Sequence, residues 1–138
     1  MFSSKTCLRV RYNETDKMGI VHHSQYVNWF EVARTDWVRQ IGLSYRQVEE
    51  EGLMIPVIGI TVNYHSPATY DDEIIIETQL IHYDSIKMTF AYTVSNSSNS
   101  RLLVDGTSTH CWTDLNMKPV SLRRRRPDLH KQLQERLN

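Results

Sequence analysis

The sequence predicts an α+β fold in which a five-stranded antiparallel sheet wraps around one long central helix. Two observations predict it: a single segment with helical periodicity near the N-terminus, and strand-like segments that fill most of the chain after it to residue 114. The 138 residues are 40% hydrophobic and 23% charged, which is typical of a folded domain with its own core. We therefore expect one domain over residues 1–138, with a core at about 5–114 and a basic helical tail at 118–138.

One strand and one long helix are predicted in the N-terminal part of the chain. Residues 6–12 alternate between apolar and polar side chains, which is typical of a half-buried strand. After a polar loop, apolar residues recur every three or four positions from Tyr26 to Ile41, as on one face of a helix. We expect Ser24 to cap the start of this helix and Gly42 to end it. Because other faces of the helix also carry apolar residues, we expect protein to surround it on most sides.

A short second helix and four further strands follow. The helix is predicted by the capping-box pair Ser44 and Gln47, and it should end at Gly52. The strands are expected at 55–64, 73–83, 87–95 and 102–113. Their connections are short and rich in turn-forming residues, so we expect successive strands to form antiparallel hairpins.

Charge is unevenly distributed, although 16 basic residues balance 16 acidic ones. The part of the chain from Lys118 onward is basic and includes the arginine run at 123–126. It closes with a short amphipathic helix that begins at Pro127 and has leucines at i, i+4 and i+8. Since a neutral molecule has little non-specific affinity for nucleic acid, we do not expect nucleic acid as a partner.

The sequence shows no pattern for membrane insertion, secretion or metal binding. Its apolar stretches fall far short of the ~20 residues that a spanning helix needs, and the N-terminus lacks the apolar core of a signal peptide. Cys7, Cys111 and the histidines do not have the spacing of metal ligands. We therefore expect a cytoplasmic protein without a membrane span or a bound metal.

The loop at 13–23 is the best candidate for chemistry. Asp16 lies 8 residues before Ser24, with Gly19 between them. The start of a helix offers unpaired N–H groups and a partial positive charge, which suit a developing oxyanion. A carboxylate at that place could attack a thioester or deprotonate water, because a thiol with a pKa near ~8.5 leaves without much acid catalysis. The alternative is that Asp16 only closes a turn through its side chain.

A resemblance to a known family is carried by the stretch RYNETDKMGIVHHSQYVNWFEVARTDW. It resembles the opening of the hot-dog-fold acyl-CoA thioesterases of the 4-hydroxybenzoyl-CoA thioesterase type. A second match to the same family is the stretch VNYHSPATYDDEIIIET, and the resemblance covers residues 6 to about 113. It implies a hot-dog fold and the hydrolysis of an acyl-CoA to a free carboxylic acid and CoA. No cofactor is implied, since coenzyme A enters as part of the substrate.

The resemblance also implies roles for individual residues. Asp16 matches the catalytic carboxylate, as nucleophile or general base, and His23 matches the residue beside the reacting carbonyl. The implied substrate contacts are Gly19, Val21, His22, Ser24, Tyr26, Ile58 and Gly59. Backbone N–H groups from 22 to 24 are the candidates for the oxyanion contact. The family's active site lies between two subunits, so we expect Ile58 and Gly59 to come from the partner chain.

A homodimer or homotetramer is expected for a second reason, because an open five-stranded sheet leaves edges that a second copy can cover. The phosphates of CoA need a basic surface, for which the candidates are Lys87, Arg101 and Arg123. An acyl tunnel is expected along the long helix, against Tyr26, Trp29, Phe30 and Met54. Glu14 is expected to face solvent.

Other interpretations remain open. Glu31 on the long helix is an alternative catalytic acid, and its structural interpretation is an ion pair with Arg34 or with another subunit. An acyl-carrier-protein thioesterase would use the arginine run to bind its acidic carrier. A third possibility is a hot-dog protein that binds thioesters or protein partners without turnover.

Overall fold

The structure is a computed structural model, and it describes residues 2–138. The strands are β1 (Ser4–Arg9), β2 (Val57–Tyr64), β3 (Glu73–Tyr83), β4 (Lys87–Asn96) and β5 (Leu102–Cys111). The helices are α1 (Gln25–Gln40), α2 (Tyr45–Glu50), α3 (Leu122–Arg125) and α4 (Pro127–Arg136), and a 3-10 turn spans Tyr12–Glu14. Long central helix, five strands and short C-terminal helix follow the predicted order.

The five strands form one antiparallel sheet in the order β1-β3-β4-β5-β2. The predicted fold class is therefore confirmed, and β3–β4 and β4–β5 are the hairpins that the sequence predicts. The hairpin expected between β2 and β3 is wrong, because β2 pairs with β5 at the far edge of the sheet. The connection at 65–72 instead crosses the start of α1, where the Val21 N–H donates to the Ala68 carbonyl across 2.9 Å.

Helix α1 packs its apolar face directly on the sheet. Phe30 is fully buried and stacks on Tyr92 of β4, with ring centroids 4.3 Å apart and planes at 5°. Gly106 of β5 lies beneath it, and a Cβ there would be 2.9 Å from the Phe30 ring and 2.2 Å from the carbonyl oxygen of Thr61. The absence of a side chain at position 106 therefore sets how closely the helix approaches the sheet.

One face of α1 is uncovered in the single chain. Val27 and Val32 remain 36% and 48% exposed. The expectation that protein surrounds α1 on most sides is therefore wrong for the single chain, because strands and loops cover only the opposite face.

The ends of the helices follow local sequence signals, with one exception. Gly42 has a φ of +82°, and its N–H donates to the Arg39 carbonyl across 2.9 Å, so it ends α1 as predicted. At α2 the Ser44 hydroxyl accepts from Gln47 N–H and the Gln47 side chain accepts from Ser44 N–H, which confirms the capping box. Ser24 stands at the predicted start of α1, but its side chain does not cap the helix.

Two strands end earlier than predicted. β1 stops at Arg9 because the chain turns there: Glu14 N–H donates to the Arg11 carbonyl, and the Glu14 carboxylate accepts from Arg11 N–H. Tyr12, placed on the buried face of the strand by its alternation, lies in this turn and is 77% exposed. β5 stops at Cys111, two residues before the predicted end.

The C-terminal tail packs on the same core. Leu129 and Leu133 of α4 are buried, as the amphipathic pattern predicts, whereas Leu137 lies beyond the helix and is exposed. The arginine run contributes the short helix α3, which the sequence did not predict, and Arg126 forms an ion pair with Glu51. Within residues 2–138 no helix is both long and apolar enough to span a membrane.

Candidate active site

A cavity of about 360 Å³ lies where the loop before α1 meets the segment that follows β2. Its walls are formed by Asp16, Met18, Ile20, Val21, His23, Tyr26, Tyr64, His65, Ser66 and Pro67. The structure thus brings together four of the predicted site residues, namely Asp16, Val21, His23 and Tyr26. The crossing of 65–72 over the helix start closes the cavity on one side.

Asp16 is held by its own loop. One carboxylate oxygen, Oδ1, accepts the Met18 N–H across 2.8 Å, and the Asp16 N–H donates to the Ile20 carbonyl across 2.8 Å. The side-chain turn that was the alternative interpretation of Asp16 is therefore present. The other oxygen, Oδ2, has no hydrogen-bond partner among the described residues, so the carboxylate is fixed in place while one oxygen stays available to a ligand.

The backbone N–H groups before α1 differ in what they can bind. His22 N–H donates to the Glu14 carbonyl across 2.9 Å, and Ser24 N–H donates to His22 Nδ1 across 3.2 Å. The Ser24 hydroxyl also pairs with His22 Nδ1, at 2.8 Å. In the described part of the chain only the His23 N–H of these three lacks an acceptor. Of the predicted candidates at 22–24, the geometry therefore leaves the His23 amide for an oxyanion.

Two tyrosines frame the helix start. Tyr26 is 3% exposed, and burial raises the pKa of its phenol to about 12, so the hydroxyl stays protonated at neutral pH. The Tyr64 hydroxyl donates to the His23 carbonyl across 2.9 Å, and its ring packs edge-on against Tyr26. The strand β2 is thereby connected to the first turn of α1.

Glu14 does not face solvent, so that expectation is wrong. Its side chain is buried because the carboxylate has donors inside the protein: Arg11 N–H at 2.8 Å and the Trp29 indole N–H at 2.9 Å. Burial alone would raise the pKa of Glu14, but these hydrogen bonds outweigh it and hold the pKa below its usual value. Glu14 is therefore a buried, ionised group beneath the Asp16 loop.

Five predicted substrate contacts do not line the cavity within one chain, namely Gly19, His22, Ser24, Ile58 and Gly59. Gly19 has a φ of +82° at the tip of the Asp16 loop, where its N–H donates to the Asp16 carbonyl. Ile58 and Gly59 lie on the exposed edge strand β2, where Ile58 is 53% exposed. A Cβ on Gly59 would only touch Thr109, at 4.0 Å, so nothing within the single chain requires glycine there.

The candidates for binding CoA phosphates do not form one cluster. Lys87 starts β4 and Arg123 lies near the same hairpin, where the Arg123 N–H donates to the Ser85 hydroxyl. Arg101 lies in the turn between β4 and β5, at the opposite end of these strands. The structure therefore separates Arg101 from the other two candidates.

Glu31 is exposed and forms no ion pair with Arg34 in the described chain, so that pairing is wrong. The Arg34 guanidinium points away, and donates to the Tyr45 and Tyr92 hydroxyls at 2.9 and 3.2 Å. Both residues line a second cavity of about 400 Å³, which is not the one that contains Asp16.

The acyl tunnel expected along α1 is not formed as predicted. Tyr26 lines the cavity with Asp16, but Trp29 and Phe30 are sealed in the core, and Met54 lines the cavity next to Glu31. Residues 2–138 contain no group of three His, Cys, Asp or Glu side chains that could hold a metal ion.

Sequence reasoning missed several residues of the cavity wall. His65 and Ser66 line the cavity, but they stand at positions of the second motif to which the resemblance assigns no role. Tyr64 belonged to the second matching motif, but its contact with His23 joins residues 41 positions apart. No local pattern could have shown that contact.

Comparisons with known proteins show the family of the chain. Residues 10–137 match the model of a family described as the thioesterase-like superfamily. A Bacillus subtilis protein with the provisional name acyl-CoA thioesterase YneP is 35% identical over 131 residues, which cover 94% of each chain. The acyl-CoA thioester hydrolase YbgC of Escherichia coli O157:H7 is 32% identical over 83% of this chain and 86% of its own. A Staphylococcus aureus DHNA-CoA thioesterase structure superimposes with a TM-score of 0.94 at 32% identity, and covers 98% of this chain and 91% of its own.

Proposed function

Because the chain belongs to the thioesterase-like superfamily, we propose that it hydrolyses an acyl-CoA thioester to a free carboxylic acid and CoA. The observation that carries the proposal is the position of the Asp16 carboxylate, in one cavity with His23 and Tyr26 at the start of α1. The proposal needs no cofactor, and coenzyme A takes part only as half of the substrate. We place the reaction in the cytoplasm.

Asp16 supplies the reactive carboxylate in this proposal. As a general base it takes a proton from water, whose oxygen bonds to the thioester carbonyl carbon to give a tetrahedral state, and the carbon–sulfur bond breaks when that state collapses to the carboxylic acid. As a nucleophile it forms a mixed anhydride with the acyl group, which water then hydrolyses. Either route uses the Oδ2 oxygen that has no partner in the described chain. The CoA thiolate leaves and takes up a proton, and its pKa of ~8.5 makes strong acid catalysis unnecessary.

The start of α1 supplies the stabilising charge. The carbonyl oxygen becomes negative in the tetrahedral state, and a free backbone N–H at a helix start stabilises such an oxyanion. His23 fits this role because its N–H is unpaired in the described chain and its carbonyl is fixed by Tyr64. The His23 imidazole lines the same cavity, where it can orient the water or the acyl group.

The active assembly is a homodimer or a homotetramer of such chains. β2 is an edge strand with unpaired backbone groups, and its side chains include exposed Val57, Ile58 and Ile60. A second copy that pairs along β2 would cover them and bring Ile58 and Gly59 to the partner's site.

An acyl-carrier-protein substrate is the second candidate. It is favoured by the exposed guanidinium groups of Arg123 and Arg124, which form no ion pair in the described chain, whereas Arg126 pairs with Glu51. An acidic carrier would find complementary charge there. A protein that binds thioesters without turnover is the third candidate.

Free-thiol release from a panel of short, long and aromatic acyl-CoAs tests the proposal. We expect wild type to turn over at least one of them, and Asp16→Asn to lower kcat by at least ~10²-fold while folding normally. Asp114→Asn is the matched control, since the Asp114 carboxylate also accepts the N–H two residues on, but in a remote loop. Full activity of Asp16→Asn would direct attention to Glu31. No release from any CoA thioester by wild type would contradict the acyl-CoA proposal and favour the other two candidates.

A further inference from the structure

Glu14 connects three segments around the Asp16 loop. Its carboxylate accepts the Arg11 N–H, two residues after β1, and the Trp29 indole N–H in α1. Its carbonyl accepts the His22 N–H where the loop returns. The Arg11 guanidinium also reaches the carboxylate, at 3.4 Å. Glu14 is only 4% exposed. A buried carboxylate with this many donors is held in one position.

The bond to Trp29 is unusual among the contacts of the loop. Trp29 lies in the second turn of α1 and is 3% exposed. Among the described residues, its bond to Glu14 is the only side-chain hydrogen bond between α1 and the loop at 13–23. Asp16 follows Glu14 by two residues, and Trp29 follows the start of α1 by one turn. The hydrogen bond between Glu14 and Trp29 therefore connects the Asp16 loop with the helix start.

We propose that Glu14 is a positioning residue, which fixes the Asp16 carboxylate relative to the N–H groups at the start of α1 through its hydrogen bond to Trp29. The inference rests on the proposed role of Asp16. Glu14 itself does not line the cavity, so the inference gives it no contact with the substrate. Its contribution is geometric, because a displacement of a reacting group by about 1 Å can cost on the order of 10²-fold in rate.

The test uses two variants that remove opposite ends of the same bond. Glu14→Gln keeps the shape but places an amide NH₂ among N–H donors, and Trp29→Phe removes the indole N–H. We expect each to lower kcat by roughly 10- to 100-fold with KM within about twofold of wild type, since substrate binding is retained. The double variant should lose no more than the worse single one, because both remove one interaction.

Asp36→Asn is the matched control. Asp36 of α1 accepts the Thr6 hydroxyl of β1 at 2.7 Å, so it also ties the helix to the first strand, but away from the Asp16 loop. It should leave kcat unchanged even where it lowers the melting temperature as much as the other variants do. Amide hydrogen exchange of wild type and Glu14→Gln gives a second readout. We expect the variant to exchange faster than wild type in the loop at 13–23 and at the same rate as wild type in β5.

The outcomes separate this inference from the proposed function. Glu14→Gln with wild-type kcat, in an enzyme that Asp16→Asn inactivates, overturns the positioning role alone. Loss of activity that is additive in the double variant also overturns it. A wild type without thioesterase activity overturns both. If Glu14→Gln fails to fold, Trp29→Phe carries the test, and a kcat within twofold of wild type then overturns the inference.

Discussion

The Tyr64 hydroxyl, at the end of an edge strand, donates a hydrogen bond across 2.9 Å to the carbonyl of His23, just before the central helix. The edge of the sheet and the start of the helix are therefore held together by this hydrogen bond. In the proposed thioesterase this region contains the amide that binds the oxyanion. A change at the edge of the sheet should therefore be felt in catalysis.

Tyr64→Phe tests this connection directly. Removal of the hydroxyl deletes one hydrogen bond and should lower the free energy of unfolding by about 1 kcal/mol. Since the His23 carbonyl then loses its anchor, the N–H of the same residue is held less firmly, and we expect kcat to fall by roughly 3- to 10-fold, measured as thiol release at saturating substrate. Tyr70→Phe is the control, because its ring packs on Tyr12 and its hydroxyl has no hydrogen bond in residues 2–138. Equal kcat values for the two variants would contradict the connection.

The exposed edge of β2 predicts how the chain assembles. Ile58 is 53% exposed on this strand, so Ile58→Glu would place charges of like sign at a paired edge. We expect wild type to sediment with the mass of at least two chains, and Ile58→Glu to sediment as one chain with reduced activity. Ile81→Glu is the matched control, since Ile81 is 42% exposed on β3 within the sheet. A wild type that sediments as a single active chain would refute the shared site.

His110 predicts a pH dependence of stability. It is buried on β5 with its Nε2 2.8 Å from the Ser108 hydroxyl. Burial, with the positive charge of Arg34 as a second cause, lowers the pKa of its imidazole to about 4. The unfolded chain, with a pKa near ~6.5, then binds more protons between these values, so the free energy of unfolding falls as the pH drops through this range and is flat above it.

Urea denaturation at pH 7 and pH 5 measures the effect. His110 should account for a loss of about 2 kcal/mol between these two pH values. His110→Gln keeps a polar group beside Ser108 but cannot be protonated. The free energy of unfolding of wild type relative to this variant should therefore be about 2 kcal/mol lower at pH 5 than at pH 7. Parallel pH profiles for the two proteins would show that folding does not lower the pKa of His110.

What could be predicted from the sequence was local or came from the family resemblance. The capping box at Ser44 and the glycine at position 42 act within one turn of helix, and the structure has both where the sequence indicates them. The resemblance to thioesterases is confirmed by the family match over residues 10–137, and it placed Asp16 and His23 in what proves to be one cavity.

What could not be predicted depends on contacts between distant residues. Turn-forming residues at 65–72 indicate only that the chain changes direction, whereas strand order depends on which edges β2 and β3 find. A glutamate in a polar loop is predicted to be exposed. Glu14 is buried only because its carboxylate accepts the indole N–H of Trp29, which lies 15 residues further along the chain. The alternation of apolar and polar residues continues to Tyr12, but the chain turns at Arg11, so Tyr12 lies outside the sheet.

Gly106 limits how the acyl preference of such an enzyme could be changed. Phe30 lies so close to the strand at this position that no acyl chain can pass between helix and sheet, and any side chain at 106 would collide with the ring. Room for a longer or bulkier acyl group cannot therefore be gained between the helix and the sheet, but it can be gained at the exposed wall of the cavity, where Met18 lies. A library that varies Met18 should broaden substrate range, whereas one built on the core positions would mostly yield proteins that do not fold.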